Sequence, residues 1–430
     1  MKFNKWTLGL AAVGVVSLAS AARADEKMNA LQTALSNTTI SGYVSASFNW
    51  AVYPGNYQDS PAGAIPFQGV SKENGFNLDV VKLSISKPQD ESPWAAGYQV
   101  DLLFGPDAVG YNPAAVGSGS YATTGYYDGY SDFGIKQAYV ALRTPLGNGI
   151  DWKIGVFDSP LGYEVFDAGS NPNYTRSWGY AVEPTELTGI LGTYKVNDEL
   201  SLSAGIANTL EAGINQRSWD VGRGGIRESR DWNKAFLGSL AYTAPSSWGW
   251  AAGSSMYAGI IYGFNGGTMN NGGNDIGATG FYQDGNQMNV YVGTTLNTPW
   301  KQLTLGAAFD YVHNLLGGGT SGSTRWYNDD EVLGLYATFK ATDKLSLNGR
   351  AEYFHGQFTE PFNGGTFGYS SEGFELTGTL EYDMWANVVS RLELRWDRFG
   401  SVNTPEALAD AGSVDHRDAV GLYANVIYKF

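Results

Sequence analysis

The chain has 430 residues, no cysteine, 57 glycines and a net charge of -15. This excludes a disulfide framework and thiolate metal centres, and the acidity argues against nucleic acid as a partner. Aromatic residues reach 14%, too many for a disordered chain, while the mean hydropathy of -0.23 is too low for a bundle of membrane helices.

Lys2 and Lys5 precede an apolar run from Trp6 to Ala19, and Ala22-Arg23-Ala24 offers a small-residue cleavage site before Asp25. Residues 1–24 therefore read as a secretory signal peptide, since the run is short for a membrane span. Residues 25–38 form an N-terminal periplasmic segment that could hold a short amphipathic helix. No long apolar run follows, so helices are not expected to hold the protein in a membrane.

From residue 39 to 430 the dominant period is two, as expected of strands with unlike faces. Ile40, Val44, Phe48 and Trp50 share one face, against Thr39, Ser41, Ser45, Ser47 and Asn49. Trp94, Ala96, Tyr98, Val100, Leu102 and Phe104 do the same against Gln99 and Asp101. Carried to the end, the pattern predicts strands at 39–53, 76–86, 94–105, 133–144, 150–159, 187–196, 200–210 and 234–244. Eight more follow at 250–265, 286–297, 302–314, 330–341, 345–356, 373–385, 389–400 and 417–430. Most have the length of a tilted strand crossing a bilayer.

Long connections (54–75, 106–132, 160–186, 211–233, 266–285, 315–329, 357–372 and 401–416) alternate with short turns such as 145–149, 197–199, 342–344 and Ala386-Asn387. This alternation over an even number of strands predicts an all-β fold: a sixteen-stranded, antiparallel, up-and-down transmembrane β-barrel with short periplasmic turns and long external loops. Its location would be the bacterial outer membrane.

The faces separate inside from outside. Leu392, Leu394 and Trp396 alternate with Arg391, Glu393, Arg395 and Asp397, and Phe374, Leu376, Leu380 and Tyr382 alternate with Glu375, Glu381 and Asp383. Leu345, Leu347 and Tyr353 likewise oppose Arg350 and Glu352. Ions at this density are expected to line water in a wide lumen, leaving the apolar face to lipid. Trp50, Trp94, Trp152, Trp250, Trp300, Trp326, Trp385 and Trp396 lie mostly near strand ends, where interfacial girdles belong. The last strand ends in Tyr428 and Phe430 on its apolar face, which resembles the terminal signal recognised by the barrel-assembly machinery.

Lys136-Gln137-Ala138-Tyr139-Val140-Ala141-Leu142, followed by residues 153–164 (Lys-Ile-Gly-Val-Phe-Asp-Ser-Pro-Leu-Gly-Tyr-Glu), resembles the OmpL-like family of outer-membrane β-barrel porins. Residues 171–177 (Asn-Pro-Asn-Tyr-Thr-Arg-Ser) and 184–189 (Pro-Thr-Glu-Leu-Thr-Gly) continue the likeness, which is sharpest over 130–195. The resemblance implies a barrel and a diffusion channel and names no substrate.

The third external loop carries Glu164, Asp167, Glu183 and Glu186; in general porins this loop folds inward and narrows the channel. Arg350, Arg391 and Arg395 could face those acids across the lumen and set up a transverse field. Alternatively, Arg350 and Arg395 pair with Glu375 and Glu381 in a structural lattice. Arg217, Arg223, Arg227 and Arg230 form an external basic cluster, suited to lipopolysaccharide phosphates or a neighbouring subunit more than to drawing in anions. Asn328, Asp329, Asp330 and Glu331 lack the spacing of a calcium loop. His313, His355 and His416 lie on different strands without a nucleophile motif, and Gly222-Arg223-Gly224-Gly225 precedes no helix.

These readings converge on a passive channel for small hydrophilic solutes and ions, with no catalytic, cofactor or metal site. A sugar- or anion-selective channel is the alternative, and a barrel hydrolase is more remote. The expected partners are outer-membrane lipid, lipopolysaccharide and two further copies in a homotrimer. The net acidity suggests a mild preference for cations.

Overall fold

The computed structural model describes residues 38–53, 72, 74–108, 133–210, 214–215, 219–221, 227–229, 232–264, 286–316, 326–362, 365–399 and 418–430. The signal-peptide segment, and all of 25–38 except Thr38, lie outside them. The strands are β1 (Thr39–Tyr53), β2 (Gly75–Lys87), β3 (Ala96–Phe104), β4 (Phe133–Thr144), β5 (Ile150–Asp158) and β6 (Glu186–Lys195). Next come β7 (Leu200–Ala207), β8 (Trp219–Val221), β9 (Arg227–Ser229), β10 (Ala235–Thr243), β11 (Ser255–Phe264) and β12 (Asn286–Asn297). The chain ends with β13 (Leu303–Leu316), β14 (Trp326–Lys340), β15 (Leu345–Phe362), β16 (Gly365–Trp385), β17 (Val388–Phe399) and β18 (Asp418–Lys429).

Sixteen of these close into a single barrel in which each strand pairs with its neighbours in sequence, while β8 and β9 pair separately. Every adjacent pair in the barrel is antiparallel, and β1 meets β18 from Tyr43↔Lys429 to Ala51↔Gly421. The Phe430 backbone extends this seam, donating to the Gly42 carbonyl at 2.9 Å and accepting from its N–H at 3.0 Å. Closure matters because hydrocarbon offers no partner to an open strand edge.

Alternation places the side chains. On β1, Ser45, Ser47 and Asn49 are buried inside, while Phe48 and Trp50 are exposed on the outside. On β17, Leu392 and Leu394 face out and Arg391, Glu393, Arg395 and Asp397 face in, none of the four more than 4% exposed. The exposed leucines and aromatics form the lipid-facing belt that a membrane barrel requires. Trp248, Trp250, Trp300 and Trp385 are exposed at the short-turn end, and Trp50 marks the opposite end. The side chain of Trp326 lies outside the described residues.

Three departures from the expected strands have local causes. Residues 357–372 do not form a long loop: β15 and β16 run on through Phe362↔Gly365 as one tall hairpin. The strand expected from 250 begins at Ser255, because Pro245 leads into a 3-10 turn at Ser246–Ala251 with Gly249 at φ +62°. Trp94 belongs to the turn before β3, at φ +64°, where the Ala95 N–H bonds the Ser92 carbonyl at 3.2 Å.

Two β-bulges alter what faces inward. Opposite β1 the register steps from Ser45↔Val80 to Ala46↔Leu78, leaving Asp79 as the extra residue. Between β3 and β4 it steps from Asp101↔Gln137 to Leu102↔Ile135, leaving Lys136. Both side chains are buried, at 1% and 2% exposure; a bulge re-aims a side chain that strict alternation would send elsewhere.

Candidate functional site

The connection from β5 to β6, residues 159–185 (L3), turns into the barrel. Asn171 braces its first half: its amide donates to the Val165 carbonyl at 2.6 Å and accepts from the Val165 N–H at 2.8 Å. Ser177 caps the short helix α1 (Trp178–Val182), its hydroxyl accepting from the Tyr180 N–H at 3.0 Å. N-capping of this kind satisfies a helix donor that would otherwise be orphaned.

The lumen wall grips that loop through its backbone. Arg350 donates to the Thr175 carbonyl at 2.7 Å and to Glu164 at 2.8 Å. Arg391 donates to the carbonyls of Ala168 and Asn171, and Arg395 to that of Arg176. Glu393 accepts from the N–H groups of Tyr174 and Thr175 at 2.6 and 2.9 Å, and Glu352 from those of Trp178 and Gly179 at 2.8 and 3.2 Å. Asn348 reaches the Pro172 carbonyl and Asn173 reaches Thr379. These are charge-assisted or buried bonds, the stronger kind.

On the other side of the loop the contacts are apolar. Leu161 joins Phe157, Leu187, Leu191, Leu237 and Ile261 in a buried cluster. Tyr163 stacks on Tyr336 with ring centroids 4.1 Å apart, and a Cβ at Gly306 would collide with the Tyr163 hydroxyl. Phe166 and Ala168 pack with Tyr43, Val80, Leu103 and Ile427 on the opposite wall.

Each acid expected in this loop has a definite place. Glu164 is fully buried in contact with Arg350. Asp167 pairs with Lys82 at 2.8 Å, and Lys82 also meets Asp101 at 3.2 Å. Glu183 lies against Asp310 of β13, a second carboxyl; burial first, then the charge of Asp310, pushes the Glu183 carboxyl well above its ordinary range. Glu186 opens β6, buried, close enough to Lys136 for their charges to interact.

The wall residues form a lattice. Arg350 meets Glu375 at 3.1 Å, Arg391 meets Glu381 at 2.7 Å, and Arg395 meets Asp397 at 2.7 Å and Glu375 at 3.8 Å. The inward ions of β15–β17 therefore face the folded loop, where open water was expected. The physical reason is that backbone carbonyls and N–H groups of residues 168–179 satisfy them as water would. Glu164 and Arg350 touch, so no open lumen separates that acid from that base.

Elsewhere, Tyr428 and Phe430 are half exposed on the outer face. Arg217, Arg223 and Arg230 lie outside the described residues, as do His416 and 222–225; Arg227 opens β9, and its side chain is not among those described. His313 sits 2.7 Å from Asp329 and His355 3.7 Å from Glu372. Both are on the outward face, in alternation with the inward residues of β13 and β15.

Sequence reasoning missed Asp79, Lys82, Lys136 and Asp310 as lumen groups and left Glu352 and Glu393 without a role. Asp79 accepts from Ser45 at 2.8 Å, Ser47 at 2.7 Å and the Tyr174 hydroxyl at 3.0 Å. Glu352 and Glu393 were visible in the alternation. Asp79 and Lys136 were not, because each is the extra residue of a bulge, where the alternation changes phase and strict parity assigns the wrong face.

A closed sixteen-stranded barrel with a lipid-facing belt and an inward-folded third loop is an outer-membrane protein of the porin class. The family described as beta-barrel porin-2, OmpL-like, matches residues 37–430, and the chain belongs to that family. No curated protein sequence matches it.

Among solved structures, the chain is similar to the trimer form of in-vitro folded OmpT, an outer membrane protein of Vibrio cholerae, at 9% identity and a TM-score of 0.53. That likeness covers 91% of this chain and 99% of that one. The outer membrane channel DcaP of Acinetobacter baumannii is similar at 14% identity and a TM-score of 0.51, covering 91% and 97%. An anion-selective porin from Comamonas acidovorans follows at 12% identity and a TM-score of 0.50, covering 91% and 99%. At these identities the likeness shows the fold. The protein resides in the bacterial outer membrane.

Proposed function

We propose that the barrel is a passive diffusion channel for small hydrophilic solutes and ions. The observation that carries this reading is the unequal treatment of the two lumen walls. L3 makes most of its polar contacts with β15–β18 and β2, where the inward ions are mostly buried, with further bonds from Asn289 and Thr295 of β12 and the Glu183–Asp310 contact with β13. The inward side chains toward the short-turn ends of β4–β7 and β10–β12, by contrast, stay partly accessible. Those residues are small and polar (Thr193, Ser201, Ser203, Ser239 and Thr295 among them), which suits weak, unspecific contact with passing solutes.

An enzymatic reading finds no support at the described histidines, whose outward position holds them apart from the lumen. The trimer form among the similar structures supports a homotrimer, with the apolar belt against outer-membrane lipid and lipopolysaccharide. Delivery by the barrel-assembly machinery would use the Tyr428 and Phe430 end.

Liposome swelling tests the reading. Vesicles carrying the refolded protein should swell in isotonic sugars at rates that fall smoothly with solute size. Swelling no faster than in protein-free vesicles, with folding verified, would reject a diffusion channel; a rate set by one sugar's stereochemistry would favour a selective one.

A further inference from the structure

The latched wall removes most of the barrel's internal charge from any passing solute. Arg350, Arg391 and Arg395 are 2%, 4% and 0% exposed, so they cannot meet an ion in transit. What an ion meets is the opposite wall, built from Ala141, Thr193, Ser203, Ser239, Tyr257 and Thr295, all at least partly accessible. On that wall charge is scarce.

The ionised side chains there are quickly accounted for among the described residues. Arg143 and Asp151 neutralise each other at 2.6 Å, as do Lys195 and Asp198 at the short-turn end of β6 at 2.9 Å. Lys136 is buried, ion-paired with Asp158 and within reach of the charge of Glu186. Lys153 is different. It alternates with the lipid-facing Ile154, which is 42% exposed, and so points inward, partly accessible. Its ammonium stands 5.0 Å over the Tyr139 ring, and among the described residues no carboxylate lies within ion-pair distance of it. The acid whose charge reaches it, Asp158, is already engaged by Lys136.

We infer that Lys153 is the selectivity-determining residue of this channel and that it gives the lumen a preference for small anions despite the acidic chain. A single charge on a low-dielectric wall acts on an ion at close range, whereas the surface charge of the loops is screened beyond about 8–10 Å. Tyr139 holds the ammonium in place by its ring face without neutralising it. The competing group is the trio of Lys82, Asp101 and Asp167, with one surplus negative charge. Two of its members are buried, however, and Asp101 also takes hydrogen bonds from Gln99 and Gln137.

This inference rests on the diffusion-channel reading, and reversal potentials across a potassium chloride gradient separate the two. The wild-type protein is expected to favour chloride, K153R to keep that preference, K153Q to lose it and K153E to favour potassium. Each step should change the permeability ratio by about fivefold, the factor for about 1 kcal/mol between unit charges a few ångströms apart in water. Conductance with a cation preference in the wild type, or an unchanged reversal potential in folded K153Q and K153E, would overturn the role of Lys153 and leave the channel standing. No conductance from folded wild type would overturn both. K153Q provides the decisive comparison if K153E fails to fold, and a shift toward chloride in D167N with none in K153Q would assign selectivity to the trio.

Discussion

Arg350 shows what a charged residue inside this barrel does. Its guanidinium contacts Glu164, Glu375 and Thr175, with Glu352 at 3.6 Å, and all three carboxylates are buried with it. Arg350→Ala would leave those carboxylates without their common cation. Breaking a buried pair in this way costs about 3–5 kcal/mol, so the variant should unfold at markedly lower urea than the wild type. Arg350→Met combined with Glu164→Gln should lose less, because fewer charges are stranded. Equal losses in the two variants would mean that the charge stranded on Glu164 is not what destabilises the single variant. The alternation of Arg391, Glu393, Arg395 and Asp397 made this lattice legible in sequence as one of two readings. Its partner, the backbone of residues 168–179, was not legible, since any sequence offers carbonyls and N–H groups.

At the scale of the element, L3 has one anchor unlike the others. Glu183 and Asp310 are both acids, and their contact attracts only while a proton is shared between them. The raised Glu183 carboxyl means that the docked loop binds more protons than a released one. Docking is therefore strongest at acid pH and weakens as pH rises from the ordinary carboxyl range through the raised value. Amide exchange of residues 178–185 should accelerate over that window, and Glu183→Gln should flatten the response; a pH-independent exchange rate in the wild type, after correction for intrinsic chemistry, would refute the coupling. Groups facing this pair include Glu164, Tyr163 and Tyr291; none of the three brings a positive charge.

Strands were the most legible elements, because lipid on one side and a polar interior on the other force a period of two. The tall β15–β16 hairpin was not. Gly356, Pro361 and the glycines at 364–365 and 368 read as a loop, but once two strands are paired their ladder can carry such residues onward. The bulges at Asp79 and Lys136 were hidden for the opposite reason: one extra residue per strand is smaller than the uncertainty of a strand's end.

For the whole molecule, composition and architecture agree. Glycine and aromatics are abundant while mean hydropathy stays slightly negative, because a barrel averages an apolar exterior with a polar interior. On the channel reading, the charge of -15 nonetheless misleads about transport. Much of the inward charge among the described residues is paired or bonded to L3, and the accessible wall carries chiefly Ser, Thr, Tyr and one unneutralised lysine. On the proposed reading, the latched loop narrows the barrel without sealing it. Single-channel recording of the refolded protein in planar bilayers tests this most directly. Discrete openings with a linear current–voltage relation are the predicted result. Silent bilayers, with folding of the same preparation verified, would contradict it.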